Sequence, residues 1–180
     1  MIQKKFLDAQ RVAVEWLRAK IIQLQNLRVT PDNILTEGKK VPFPSLGKMY
    51  FYGYNAKTRS KLPYWDAFPL VVPIESYGSS KILGINFHYL PYSLRNILLN
   101  RVTETINEDK DGFTLEYRDI KGSVRFNYAI PCIHRYDLNN ITSNIIEVRP
   151  QEWLTAINLP VERFKKQSRA HVWRDSRARI

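Results

Sequence analysis

Residues 47–68 read GKMYFYGYNAKTRSKLPYWDAF, and the way this stretch folds decides the architecture. Aromatic rings crowd both ends. Between them lies AKTRSK, which carries Lys57, Arg59 and Lys61 and no acid. Two readings compete. Exposed tyrosines on one strand would form a platform on which bases stack while the cations follow the phosphates. Alternatively, the stretch is a strand, a turn and a second strand whose rings fill a core. The alternation of KMYFYGY puts Met49, Phe51 and Gly53 on one side and Tyr50, Tyr52 and Tyr54 on the other. With 8 Phe, 10 Tyr and 4 Trp in 180 residues, most rings must be structural. The core reading is therefore preferred: tyrosines form a second core layer against an N-terminal helix, hydroxyls outward. Tyr64, Trp65 and Phe68 then cover one end of the sheet, and the AKTRSK loop stays exposed and basic.

Upstream, Val14, Leu17, Ile21 and Leu24 recur at helical spacing, which predicts a long amphipathic helix within residues 1–30. Residues 31–47 read as a connector, because Pro31, Gly38, Pro42, Pro44 and Gly47 break every period. Residues 48–161 read as an α+β body: a small, bent antiparallel sheet or barrel. FPLVVPIESY and SSKILGINFHYL pair as a hairpin. Pro69 and Pro73 favour an edge or a bulge in the first of these strands, and Gly84 marks a bulge or close backbone approach in the second. PYSLRNILLNRVTETI is a helix with Pro91 near its first turn. GFTLEYRDI, SVRFNYAI and NIIEVRP read as strands, PCIHRYDLNNITSN has no clear pattern, and QEWLTAIN follows Pro150 as a short helix.

Residues 162–180 hold seven cations, Arg163, Lys165, Lys166, Arg169, Arg174, Arg177 and Arg179, against Glu162 and Asp175. Phe164 and Trp173 are present without a repeated apolar stripe. This predicts a basic arm ordered by a partner, with cations on phosphate or with Phe164 and Trp173 anchoring it on a neighbouring subunit.

The formal net charge of +11 favours an acidic partner such as nucleic acid. The single cysteine, Cys132, excludes an intramolecular disulfide and suits a reducing compartment. No signal peptide or membrane span is expected. The residues offer little for catalysis. His88 in NFHYL reads as a core histidine. Cys132 and His134 are too few to complete a zinc site. The scattered glycines form no phosphate cradle, so no cofactor or metal is expected. Glu116, Asp119 and Lys121 superficially match a nuclease, but a solvated turn accounts for them better.

The runs GKMYFYGYNAKTRSKLPYWDAFPLVVPIE and ILGINFHYLPYSLRNILL, then PCIHRY, EVRPQEWLTAINLPVERFKK and VWRDSR, resemble a group of small virion-associated proteins of contractile-tailed phages. The similarity covers most of residues 40–176. It is connected with DNA end protector proteins, which cap packaged DNA at the head-to-tail junction. SSKILGIN departs from the acidic or glycine-rich hairpin tip usual in the group. The resemblance implies a non-enzymatic virion protein, oligomeric, assembled in the host cytoplasm, touching other virion proteins and the DNA backbone without sequence preference. A tail or baseplate component is the nearest rival, and a nucleic-acid-processing nuclease is the rival from another class.

Overall fold

Val, Leu and Ile fill the strands Leu70–Tyr77 (β4) and Lys81–Asn86 (β5), and Gly78 takes φ 62° in the turn that joins them. That left-handed conformation favours glycine and lets the hairpin close. The structure, a computed structural model, describes residues 29–108, 120 and 123–180. The helix expected within residues 1–30 lies outside the described residues, apart from the stretch 29–30. So do Glu116, Asp119 and Lys121, and most of the strand expected over residues 112–120.

The hairpin sits inside a six-stranded antiparallel sheet. Its other strands are Lys39–Val41 (β1), Met49–Phe51 (β2), Ile133–Asp137 (β6) and Ile145–Val148 (β7), in the order β1-β7-β2-β4-β5-β6. A two-stranded ribbon pairs Trp65–Asp66 (β3) with Phe164–Lys165 (β8). The helices are Pro31–Glu37 (α1), Tyr92–Glu108 (α2), Trp153–Ala156 (α3) and Arg169–Ala178 (α4). The α+β class and the antiparallel sheet are as expected.

Alternation in β2 holds and gives the sheet two buried faces. Met49 and Phe51 join Leu70, Val72, Ile85, Leu98, Val102 and Trp153 on one side. Tyr50, Tyr52 and Tyr54 join Val71, Ile82, Tyr136 and Ile145 on the other. Phe51 and Phe68 stack at 5.3 Å between ring centroids, a contact that contributes about 1 kcal/mol beyond burial. Phe68 thus belongs to the first core and not to a cover over the sheet's end.

Of the edge or bulge expected at the prolines, the bulge is found: β4 is central in the sheet, and its register shifts between Pro73 and Glu75, which accommodates the proline that cannot donate to the ladder. Gly84 lies opposite Pro73, where a Cβ would collide with Val71. Residues 31–47 are more than a connector. Thr30 caps α1 through a reciprocal bond with Asn33, and β1 pairs with β7. SVRFNYAI forms 3-10 turns over Val124–Cys132 instead of a strand.

The largest correction concerns residues 162–180. They fold back onto the body instead of extending from it. Arg163 and Phe164 run beside β3, and Ser168 caps α4 by accepting from the His171 N–H. Val172 and Ser176, four residues apart on α4, are both buried. Two small inward positions at helical spacing suffice to dock a short helix, and they leave no long apolar stripe to read.

Candidate nucleic-acid interface

A buried polar network anchors the tail. Asp66 Oδ2 lies 2.7 Å from His88 Nδ1, while Asp66 Oδ1 accepts from the backbone N–H groups of Phe68 and Arg163, both at 3.0 Å. Burial would raise the Asp66 pKa. The His88 ring and the two backbone donors outweigh it and hold the carboxylate below its usual range. His88 is fully buried, as the sequence reading expected.

Arg95 is also fully buried and donates to the carbonyls of Leu90, Ile157 and His88. Burial lowers its pKa, against the pull of Glu162. Arg95 Nη2 is 3.6 Å from Glu162 Oε2, an ion pair longer than a hydrogen bond, and Arg169 Nη1 donates to Glu162 Oε1 at 2.8 Å. Trp173 completes the seam by donating Nε1–H to the His88 carbonyl. Arg169 and Trp173 are therefore engaged within the molecule, and Glu162, nominally part of the arm, is a buried internal counter-ion.

Lys166 has a different task from the expected phosphate contact. Its ammonium donates to the carbonyls of Arg59 at 2.6 Å and Leu62 at 2.7 Å, with Ser60 at 3.4 Å. Its φ of 70° is in the left-handed region, unusual for lysine. This strained residue clamps the backbone of the AKTRSK loop to the tail, and the loop's own side chains remain outside. Lys57, Arg59 and Lys61 are exposed and make no ion pair among the described residues.

The remaining tail cations are exposed. Arg163 bonds the Glu162 carbonyl, Arg174 meets His171 Nδ1 at 2.9 Å, and Lys165, Arg177 and Arg179 have no ion pair among the described residues.

Loop and tail meet at a cleft of about 550 Å³. Lys57 and Leu62 contribute one wall, Arg179 another, and Tyr64, Trp65, His134 and Tyr136 supply rings. Two carboxylates also line it, but Asp66 is spent on the network above and Asp137 Oδ1 accepts from the Asn139 N–H. Lys81 and Arg135 also line it; the Arg135 guanidinium lies over the Tyr77 ring at 5.3 Å. His134 stacks on Tyr89 at 3.9 Å and donates Nε2–H to the Pro131 carbonyl. Burial lowers its pKa to about 4, with Arg179 adding to the shift, so the ring is neutral at physiological pH.

Of the residues singled out from the sequence, the fold brings Lys57 and Arg179 to one cavity and diverts Lys166, Arg169 and Trp173 to structural work. Sequence reading missed Arg95 and Asp66 as the buried partners. Neither has a spacing signature, because their partners are far away in the chain. Cys132 is buried, its thiol pKa is raised by burial, and it donates to the Tyr128 carbonyl. It is not a nucleophile in this setting. Among the described residues no cluster of three or more His, Cys, Asp or Glu could hold a metal, and no helix is long and apolar enough to cross a membrane.

The family model described as phage T4 terminal DNA protecting protein matches residues 29–176. No curated protein and no solved structure matches the chain.

Proposed function

The chain belongs to the phage T4 terminal DNA protecting protein family, and on that premise we propose that it is a non-enzymatic virion protein that caps the end of packaged DNA at the head-to-tail neck. The observation that carries this reading is the meeting of two exposed basic segments at one aromatic-lined cleft: the AKTRSK loop with Lys57, and the end of the tail with Arg179. A net charge of +11 draws the protein to DNA from any direction. A clamped loop fixes the backbone that carries these cations, so less backbone freedom is lost on binding.

DNA contact in this reading is through phosphates and is independent of sequence. Neighbouring virion subunits take up the exposed cations on the outer side of α4, including Arg174 and Arg177, in an oligomer at the neck.

Exonuclease digestion of a linear duplex, with and without the purified protein, tests the proposal. Protection that fades as salt rises is the expected result. Digestion at an unchanged rate, with no salt-sensitive binding, would replace it with a tail or baseplate role. Metal-dependent cleavage of the DNA end would replace it with a nuclease. Density for the chain in an intact particle fixes the position directly: density away from the neck would overturn that part of the proposal.

A further inference from the structure

Protection of an end requires that an end be told from the middle of a duplex, and a positive surface alone makes no such distinction. We propose that the cleft receives one terminal nucleotide of the DNA, its base against the ring wall and its phosphate between Lys57 and Arg179. This inference rests on the end-capping reading above.

Size is the first argument. A cleft of about 550 Å³ falls in the range of roughly 300–1,000 Å³ that holds a single small ligand. A nucleotide fits that scale and a duplex does not.

The wall chemistry is the second. Tyr64, Trp65 and His134 all line the cleft and are half-buried. They are held by packing: Tyr64 against Tyr89, Phe164 and His171, and His134 on Tyr89. Preorganised rings stack bases of any identity, each stack contributing about 1–3 kcal/mol. The neutral His134 ring adds no charge to the wall. The Trp65 Nε1–H is shielded from solvent and has no partner among the described residues.

The charge arrangement is the third. Lys57 and Arg179 are far apart in the chain and line the same cavity. Lys57, Lys81, Arg135 and Arg179 outnumber the two carboxylates of the lining, Asp66 and Asp137, and each carboxylate accepts a backbone N–H. A terminal nucleotide can leave the stack at small cost because it has one stacking neighbour; an internal one must be flipped at a cost of a few kcal/mol. The pocket would thereby convert general backbone affinity into preference for ends.

The test compares a linear duplex with a hairpin-capped duplex and a closed circle, using full-length protein, and places 2-aminopurine at the terminal or an internal position. Wild type should bind the open end at least 10-fold more tightly than the circle and should change the fluorescence of the terminal probe only. Lys57→Gln combined with Arg179→Gln should lose that preference and that signal while still binding the circle. Both side chains are exposed, so the variant should fold, and circular dichroism melting checks this. Trp65→Phe, which shortens the ring wall from indole to phenyl as well as removing the Nε1–H, is the second arm and should weaken end preference several-fold. End preference that survives both variants overturns the pocket and leaves end capping intact. Absence of any end preference or exonuclease protection in wild type overturns both. Inorganic phosphate or a free mononucleotide that binds the cleft without competing with DNA ends also overturns the pocket.

Discussion

Trp173 donates its indole N–H to the backbone carbonyl of His88 at 2.8 Å, across 85 residues of chain. The same carbonyl accepts from Arg95 at 3.3 Å. One oxygen in the 3-10 turn Phe87–Tyr89, just after β5, thus holds both the buried arginine and the helix of the tail. Basic character and structural docking are therefore not alternatives in residues 162–180; the segment does both with different side chains.

Glu162 is the hinge of that arrangement, between Arg95 and Arg169. Glu162→Gln strands the fully buried Arg95 charge, which should cost about 3–5 kcal/mol. Thermal or urea unfolding measures this. Removing residues 162–180 should likewise destabilise the body and not merely abolish binding. A truncated protein with unchanged stability would contradict the docked tail.

Tyr52 tests the assignment of the tyrosine face. The side chain is fully buried and its hydroxyl has no partner among the described residues. Tyr52→Phe should be neutral or stabilise by up to about 1 kcal/mol, since it removes an unpaired buried hydroxyl. Tyr52→Ala should cost about 3–5 kcal/mol. Loss of DNA binding with unchanged stability in Tyr52→Ala would restore the stacking-platform reading.

The loop cations make a quantitative statement about salt. Each phosphate contact contributes about 0.9 to the slope of log affinity against log salt. Replacing Lys57, Arg59 and Lys61 together by Ser should therefore flatten the slope by about 2–3, with no change in melting temperature. Lys166→Arg keeps the charge but cannot present three donors to the loop carbonyls from one point. It should raise amide hydrogen exchange over residues 57–62 while leaving the slope nearly intact.

Acid should weaken the fold in two stages. His134 is held neutral in the folded protein, with its pKa lowered from 6.5 to about 4. Between those values the unfolded chain binds the extra proton, so stability falls as pH drops from about 6.5 towards 4. Asp66 and Glu162 have folded pKa values below their ordinary 3.8 and 4.5. For Glu162, burial pushes upward, but the charges of His88 and Arg95 and the Arg169 hydrogen bond prevail. Their contribution is present above those ordinary values and is lost as pH falls through the lowered ones. Melting temperature against pH should show both declines, and His134→Gln should flatten the upper one.

The chain alone determined the elements whose period is local. Alternation in KMYFYGY assigned the two faces of β2, turn residues and apolar runs marked the β4–β5 hairpin, and Pro91 marked the start of α2. These follow from backbone geometry within a few residues, so they can be read without a partner. PCIHRYDLNNITSN gave no such pattern, and β6 within it exists because Lys81–Ile85 pairs with it. The destination of the basic tail, the use of Lys166 as a clamp and the meeting of Lys57 with Arg179 were decided only in three dimensions. Lys166 reaches the Arg59 carbonyl over 107 residues. Backbone carbonyls are present at every position and carry no mark in the sequence, so a cation destined for one looks the same as a cation destined for a phosphate.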